Sequence, residues 1–305
     1  MTVGEVVEPI GTDELVPELR RASWMRGLRM RVGAANQNKL TVTAALVLVG
    51  IWLFCFLGPL IYRTNQVSPN LIFANQAPSL HHLLGTSAEG FDEVGRLMTG
   101  GQSTLEVGFA VGLLASGFGA LWGLVAGYLG GWVDAVMMRI VDSFLSVPFL
   151  FFVIVLASFI SATLYLIIVV LSAALWLSMA RLVRGETLSL RTREYVQAAR
   201  AVGARPIRLM LRHIAPNLLG TIMVNMTLKV ADAILAFAAI GYLGFGVPPP
   251  ATDWGTMVAN GINNIYNGYW WELWPAGALI VLTVGAVSLL GDAMRDLVEK
   301  RLLQR

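Results

Sequence analysis

Arg193 to Gly220 reads REYVQAARAVGARPIRLMLRHIAPNLLG. It is a polar, arginine-rich block set between long apolar runs, and that contrast decides the fold. The chain is 56% hydrophobic and only 13% charged, with a mean hydropathy of +0.67; an ordinary soluble domain carries about 25% charge. A bilayer core takes roughly 20 apolar residues in helix. Six runs meet that length: 40–62, 104–128, 137–160, 162–182, 219–243 and 272–292. The third and fourth are nearly continuous, and Phe159-Ile160-Ser161-Ala162-Thr163 is the predicted tight turn between them. No regular ten-residue alternation points to a barrel. The expectation is an all-α polytopic membrane protein with six transmembrane helices.

Lysine and arginine set the orientation. Six of them lie within 20–39, and the 181–218 loop holds Arg181, Arg184, Arg191, Arg193, Arg200, Arg205, Arg208 and Arg212. The 63–103 loop holds only Arg63 and Arg96, and 244–271 holds none. Both termini and the arginine-rich loop are therefore expected in the cytoplasm, with 63–103 and 244–271 outside. The domain reading is a cytoplasmic tail 1–39, a six-helix transmembrane domain 40–300 with a cytoplasmic loop 183–218, and a short tail 301–305. Within the first tail, Arg20, Arg21, Trp24, Arg26, Leu28, Arg29, Arg31 and Lys39 make a basic, aromatic-containing segment that suits an anionic membrane surface or serves only as a solvated orientation signal. The first apolar run begins too late and runs too long for a secretory leader.

The opening block divides into two short helices. Tyr195, Ala198, Ala199 and Val202 recur at i, i+3, i+4 and i+7, so they share one small apolar face. Arg193, Gln197 and Arg200 lie off it. Gly203 suits the left-handed position just past a helix end. Pro206 suits the first turn of a second helix over Ile207–Ile214, which Pro216 is expected to stop. A short helix with an alanine face ringed by arginine fits a groove on another protein better than a lipid surface, for which its apolar area is small.

Other features carry less. Ala115, Gly119, Gly123, Gly127 and Gly131 form a row spaced by four, with Gly108, Gly112, Ser116 and Ala120 beside it; small residues at that spacing let helix backbones approach closely. Lys229 and Asp232 lie halfway down the fifth run, three residues apart, and can pair. They read either as an ion pair fixing helix rotation or as a polar patch on a translocation path. The aromatic 244–271 loop reads as an interfacial belt or as a surface for an external partner. The lone Cys55 excludes an internal disulfide. None of the three lysines, Lys39, Lys229 and Lys300, follows a glycine, so no phosphate loop is present. His81, His82 and His213 fall on opposite sides and share no metal site. No catalytic residue, metal or bound cofactor is expected, and the small net charge of +3 does not suggest nucleic acid.

The block resembles the E-A-A-x3-G-x9-I-x-L-P loop of permease subunits in ATP-binding cassette importers. Ala198, Ala199, Gly203 and Pro216 match; Gln197, His213 and Ala215 depart. His82-Leu-Leu-Gly85-Thr86 with Gly90, Asp92 and Arg96 is similar to the family's H-P-L-G-T-D-x-x-G-R-D-x-x-x-R segment, departing at Leu83, Ser87 and Phe91. Tyr242-Leu-Gly-Phe-Gly246 with Pro249-Pro250 and Trp254-Gly255 resembles its F-L-G-L-G-x-x-P-P-x-x-x-W-G segment, and Asn38-Lys39-Leu40 fits its entry to the first span. The resemblance is to the C-type permease subunit of dipeptide, oligopeptide and nickel importers. It implies the type I importer permease fold and a bacterial or archaeal cytoplasmic membrane. It also implies a related B-type permease, two cytoplasmic ATPases carrying ATP and magnesium, and an external substrate-binding protein. In that family the loop is the helix that docks on the ATPase, which assigns coupling to Glu194, Tyr195, Gln197, Ala198, Ala199, Val202, Gly203 and Pro216. The cargo expected is a di- or oligopeptide. A nickel chelate carried on the same fold, and an ion-coupled transporter that works alone, are the alternatives.

Overall fold

A computed structural model describes residues 39–148, 151, 155 and 163–303, with side chains as far as 297. The chain divides into two units, Met1–Thr43 and Ala44–Arg305. The second unit holds the fold, and helix α1 begins in the last residues of the first. Among the described residues the regular structure is helical, joined by loops such as 62–92 and 246–253, and the one extended pairing is a single bridge between Thr86 and Asp92. The helices are α1 Lys39–Ile61, α2 Glu93–Leu129, α3 Gly131–Leu145, α4 Leu164–Leu190, α5 Glu194–Ala201, α6 Pro206–Phe245, α7 Trp254–Asn264 and α8 Trp270–Leu303. Five of these, α1, α2, α4, α6 and α8, are long and apolar enough to cross a bilayer among the described residues. This is a multi-pass membrane architecture.

Two boundaries differ from the sequence expectation for physical reasons. Helix α2 begins at Glu93 rather than 104, because the Asp92 carboxylate caps it by accepting from Gly95 N at 3.0 Å. Its polar first turns are not loop, since they are used against neighbours: Gln102 Nε2 donates to the Cys55 carbonyl at 2.7 Å. The expected third span, 137–160, starts earlier, at Gly131, and α3 ends at Leu145 ahead of Pro148, whose ring disfavours helix in the residue before it. From residue 149 onward that span, and the tight turn up to Ala162, lie outside the described residues apart from Phe151 and Val155. Thr163 caps α4 by accepting from Leu166 N at 3.3 Å.

The small residues set how closely α2 approaches its neighbours. A methyl group at Gly119 would lie 2.5 Å from the Trp176 carbonyl, and one at Gly127 would lie 2.8 Å from the Arg184 carbonyl. Gly123 sits against the Ala180 carbonyl in the same way. This row faces the backbone of α4. The second row turns to α6: methyl groups at Gly108 and Gly112 would meet Ile234 and Val230 at 2.5 Å. Gly131 does not continue the first row, because Gly130 at φ 66° breaks the helix and Gly131 starts α3. Between the three long helices a core forms from Val107 and Val111, Ile168 and Leu171, and Ala233, Phe237 and Ile240. With no water among lipid tails to drive helices together, contact of this kind carries the association.

Two ion pairs tie α3 to α4. Arg184 grips Asp134 with Nε and Nη2, both at 2.6 Å, and Arg181 reaches Asp142 at 2.5 Å. The Arg184 fork is the stronger of the two, since the Asp134 side chain is 12% exposed and the Asp142 side chain 51%. Arg184→Gln leaves the Asp134 charge nearly buried without its partner. The expected loss is about 2 kcal/mol, discounted from the range for a fully buried pair because Arg184 itself is one-third exposed. Thermal unfolding of the purified chain checks this, and a double variant Arg184→Gln with Asp134→Asn should recover most of the loss.

Candidate functional site

The block between α4 and α6 folds as a helix, a turn and a second helix. Glu194 sits in the first turn of α5, where an acidic side chain complements the helix dipole. Gly203, at φ 84°, ends α5. Its N–H reaches the Arg200 carbonyl at 3.0 Å and the Ala204 N–H reaches the Ala199 carbonyl at 3.1 Å, which is the paired Schellman closure. Pro206 opens α6 at its first position. Pro216, however, does not stop that helix. Residues Leu209–Ile214 wind as a π-helix, so the Ala215 N–H reaches back to the Met210 carbonyl. That wider turn lies directly ahead of the proline ring, at the point where the regular ladder would be interrupted. Helix α6 then runs unbroken to Ile240.

The structure splits the apolar face expected from the sequence. Val196, which is not part of that expected face, is fully buried and packs with Leu124, Val183, Leu209, Ile214 and Leu218. Ala199 is half-buried and packs against the same cluster. Tyr195, Ala198 and Val202 remain exposed, Val202 by 87%. An inward anchor of Val196 and Ala199 therefore leaves an outward face of three residues. The spacing carries this signal: Val196, Ala199 and Gly203 are also at i, i+3 and i+7, and valine is a better core residue than tyrosine. Asn217 Nδ2 joins the two halves of the block, donating to the Tyr195 hydroxyl at 3.3 Å and to the His213 carbonyl at 2.6 Å. Gln197 points elsewhere and donates to the Thr192 carbonyl at 2.9 Å. Arg191 Nη1 caps the end of α2, donating to the Gly127 carbonyl at 3.0 Å.

Lys229 and Asp232 form an ion pair of 2.6 Å on α6. They lie away from the bundle: Val230 and Ile234 face α2, so Asp232 between them points to the opposite side. Its side chain is 49% exposed and that of Lys229 is 16% exposed. Asp232 is thus presented at the surface of this chain with Lys229 largely covered beside it.

At the other end of the helices, the two segments flanking α2 and α7 lock together. The Asp92 carboxylate accepts from Tyr62 OH at 2.8 Å and contacts His82 Nδ1 at 2.9 Å. Burial, and then this bond to Asp92, push the Tyr62 phenol up to about 12, so it remains a donor. Trp271 Nε1 donates to the Thr86 carbonyl at 3.2 Å, and Arg96 Nη1 donates to the Pro250 carbonyl at 2.7 Å. Fully buried Asp253 caps α7, accepting from Thr256 N at 2.9 Å and Thr256 Oγ1 at 2.7 Å. Burial raises its carboxyl above the usual range, and these bonds pull it back. Trp254 inserts beneath, its Nε1 donating to the Leu97 carbonyl at 2.9 Å.

The site therefore consists of a small exposed helix tied into the end of three long ones, and no catalytic constellation accompanies it among the described residues. Known proteins are similar to the chain in sequence. The oligopeptide transport system permease protein OppC of Bacillus subtilis is 37% identical over 88% of this chain and 87% of its own length. The dipeptide transport system permease protein DppC of the same organism is 35% identical over 88% of this chain and 83% of its own. OppC of Escherichia coli K12 is 38% identical over 87% and 88%. Residues 119–304, which include the helix-turn-helix block, match the family described as binding-protein-dependent transport system inner membrane component. The chain belongs to that family.

Proposed function

We propose that this chain is a permease subunit of a peptide importer, forming one side of the translocation path while separate subunits hydrolyse ATP. The observation that carries the proposal is α5, a helix anchored by Val196 with Tyr195, Ala198 and Val202 left facing outward, in a chain with no phosphate loop of its own. Peptide cargo comes from the relatives, which are named for oligopeptide and dipeptide transport. In this reading the chain crosses the cytoplasmic membrane six times, with both termini and α5 inside and the Tyr62–Asp92 and Pro250–Asp253 corners outside. The partners are a second permease, two ATPases that bind ATP and magnesium, and an external binding protein. The Lys229–Asp232 pair on α6, with Asp232 half exposed, lies on the side that faces the cargo or the second permease.

Reconstitution tests this. Liposomes holding the assembled complex, given peptide, binding protein and internal ATP, should accumulate peptide; those holding this chain alone should not, with or without a proton or sodium gradient. Gradient-driven accumulation by the isolated chain would replace the reading with an ion-coupled transporter.

A further inference from the structure

Helix α5 has a third side. At 100° per residue, Val196 and Ala199 point into the bundle and Tyr195, Ala198 and Val202 point outward. Gln197, Arg200 and Ala201 point in a third direction, onto a groove of about 580 Å³ whose other wall is Tyr128, Leu129, Arg191 and Thr192. The groove is basic. Arg191 and Arg200 both line it and no carboxylate does. Arg191 is held in place by the carbonyls of Gly127 and Tyr128. Arg200 lies over the Tyr128 ring at 5.8 Å, and among the described residues no acid pairs with it. Two guanidinium groups brought to one cavity, each with N–H donors unused, match the oxygens of a phosphate.

The position in the fold narrows the ligand. The groove opens where α2 ends, beside Leu129, which is 52% exposed, and close in sequence to Trp132, which is 77% exposed. Exposed apolar and tryptophan side chains at the end of a membrane span mark the depth of lipid headgroups. We propose that this groove holds the phosphate of an anionic phospholipid, bridging Arg191 at the end of α2 to Arg200 on α5. The lipid then bears on the seating of α5 from this third side, leaving its outward face free. The inference rests on α2 ending at the membrane surface, and it adds to the proposed function a lipid requirement.

Lipid retention on the intact, detergent-purified complex tests it, read by native mass spectrometry after washing and re-addition of phosphatidylglycerol or phosphatidylcholine. Retention of phosphatidylglycerol should exceed that of phosphatidylcholine. Arg200→Gln should weaken it roughly fivefold, the usual worth of one arginine at an anionic surface, and Arg200→Lys should restore part of it. Arg205→Gln, which removes the same charge outside the groove, should change nothing. Equal retention in wild type and Arg200→Gln, or no preference between the two lipids, overturns the site. Displacement of the lipid by inorganic phosphate at matched concentration overturns the lipid assignment in favour of a free phosphate. Loss of the ATPase subunits from Arg200→Gln with lipid retention unchanged overturns it in favour of protein docking. Since the readout is bound lipid, not uptake, it stands or falls apart from the identity of the cargo.

Discussion

Val202→Asp should abolish ATP-driven peptide uptake in membrane vesicles while leaving the chain inserted and normally abundant. The side chain is 87% exposed, so the folded chain loses almost nothing; surface changes of this kind stay within about 0.5 kcal/mol. The partner loses an apolar contact and meets a charge. At the centre of an interface such a change costs on the order of 2 kcal/mol or more, roughly thirtyfold in affinity. Ala198→Trp on the same face should act alike. Uptake at the wild-type rate in either variant, with the ATPases still bound, would sink the docking role of this face. Gly203 and Ala199 are poorer places for the same experiment. A side chain at Gly203 strains a backbone at φ 84°, and a bulky residue at Ala199 intrudes on the cluster around Val196. Either could fail by misfolding.

The second large effect concerns assembly of the fold itself. Gly123→Leu should prevent stable insertion or leave a chain that aggregates on extraction. Its first side-chain atom would press on the Ala180 carbonyl and lie 2.8 Å from the Arg184 nitrogen. Both are helix backbone and cannot swing aside, so α2 and α4 must separate along a shared face. The cost is expected at or above the usual overpacking range of about 1–3 kcal/mol, and separation also disturbs the Arg184–Asp134 fork. Gly117→Leu is the control, because nothing lies within 4 Å of that position. Heating of detergent-solubilised protein followed by gel filtration separates the two outcomes. Equal melting of both variants would mean that the row does not set the helix spacing.

The glycine row and the end of α5 are legible in the sequence; the polar start of α2 and the course of α6 are not. Glycines spaced by four along an apolar run have few causes besides close packing, and the structure gives Gly119, Gly123 and Gly127 one partner and Gly108 and Gly112 another. The end of α5 is equally plain, because a glycine three residues before a proline constrains two backbone positions at once. What stays hidden depends on tertiary use of polar groups. Gln102 and Arg96 look like loop residues until the carbonyls that receive them are known. Pro216 looks like a stop because nothing in the local sequence announces the π-helical turn that accommodates it. Val196 is easily missed beside a face of small residues, although burial, not smallness, marks an anchor.

The unbroken course of α6 has a mechanical consequence. Its 40 residues from Pro206 to Phe245 span about 60 Å. Leu209, Ile214 and Leu218 near one end rest on the cluster that anchors α5. Near the other, Gly241 abuts the Asp253 carboxylate at the start of α7. Between Ala215 and Ile240 the helix has no joint; the π-helical turns and the φ 88° reversal at Gly244 all lie outside that stretch. A stiff beam hinged only at its extremities stores no displacement along its length. In the transport role proposed above, force applied at α5 should reach the Asp253 corner as a tilt of this one helix, so that opening on one side and closing on the other would be coupled through α6.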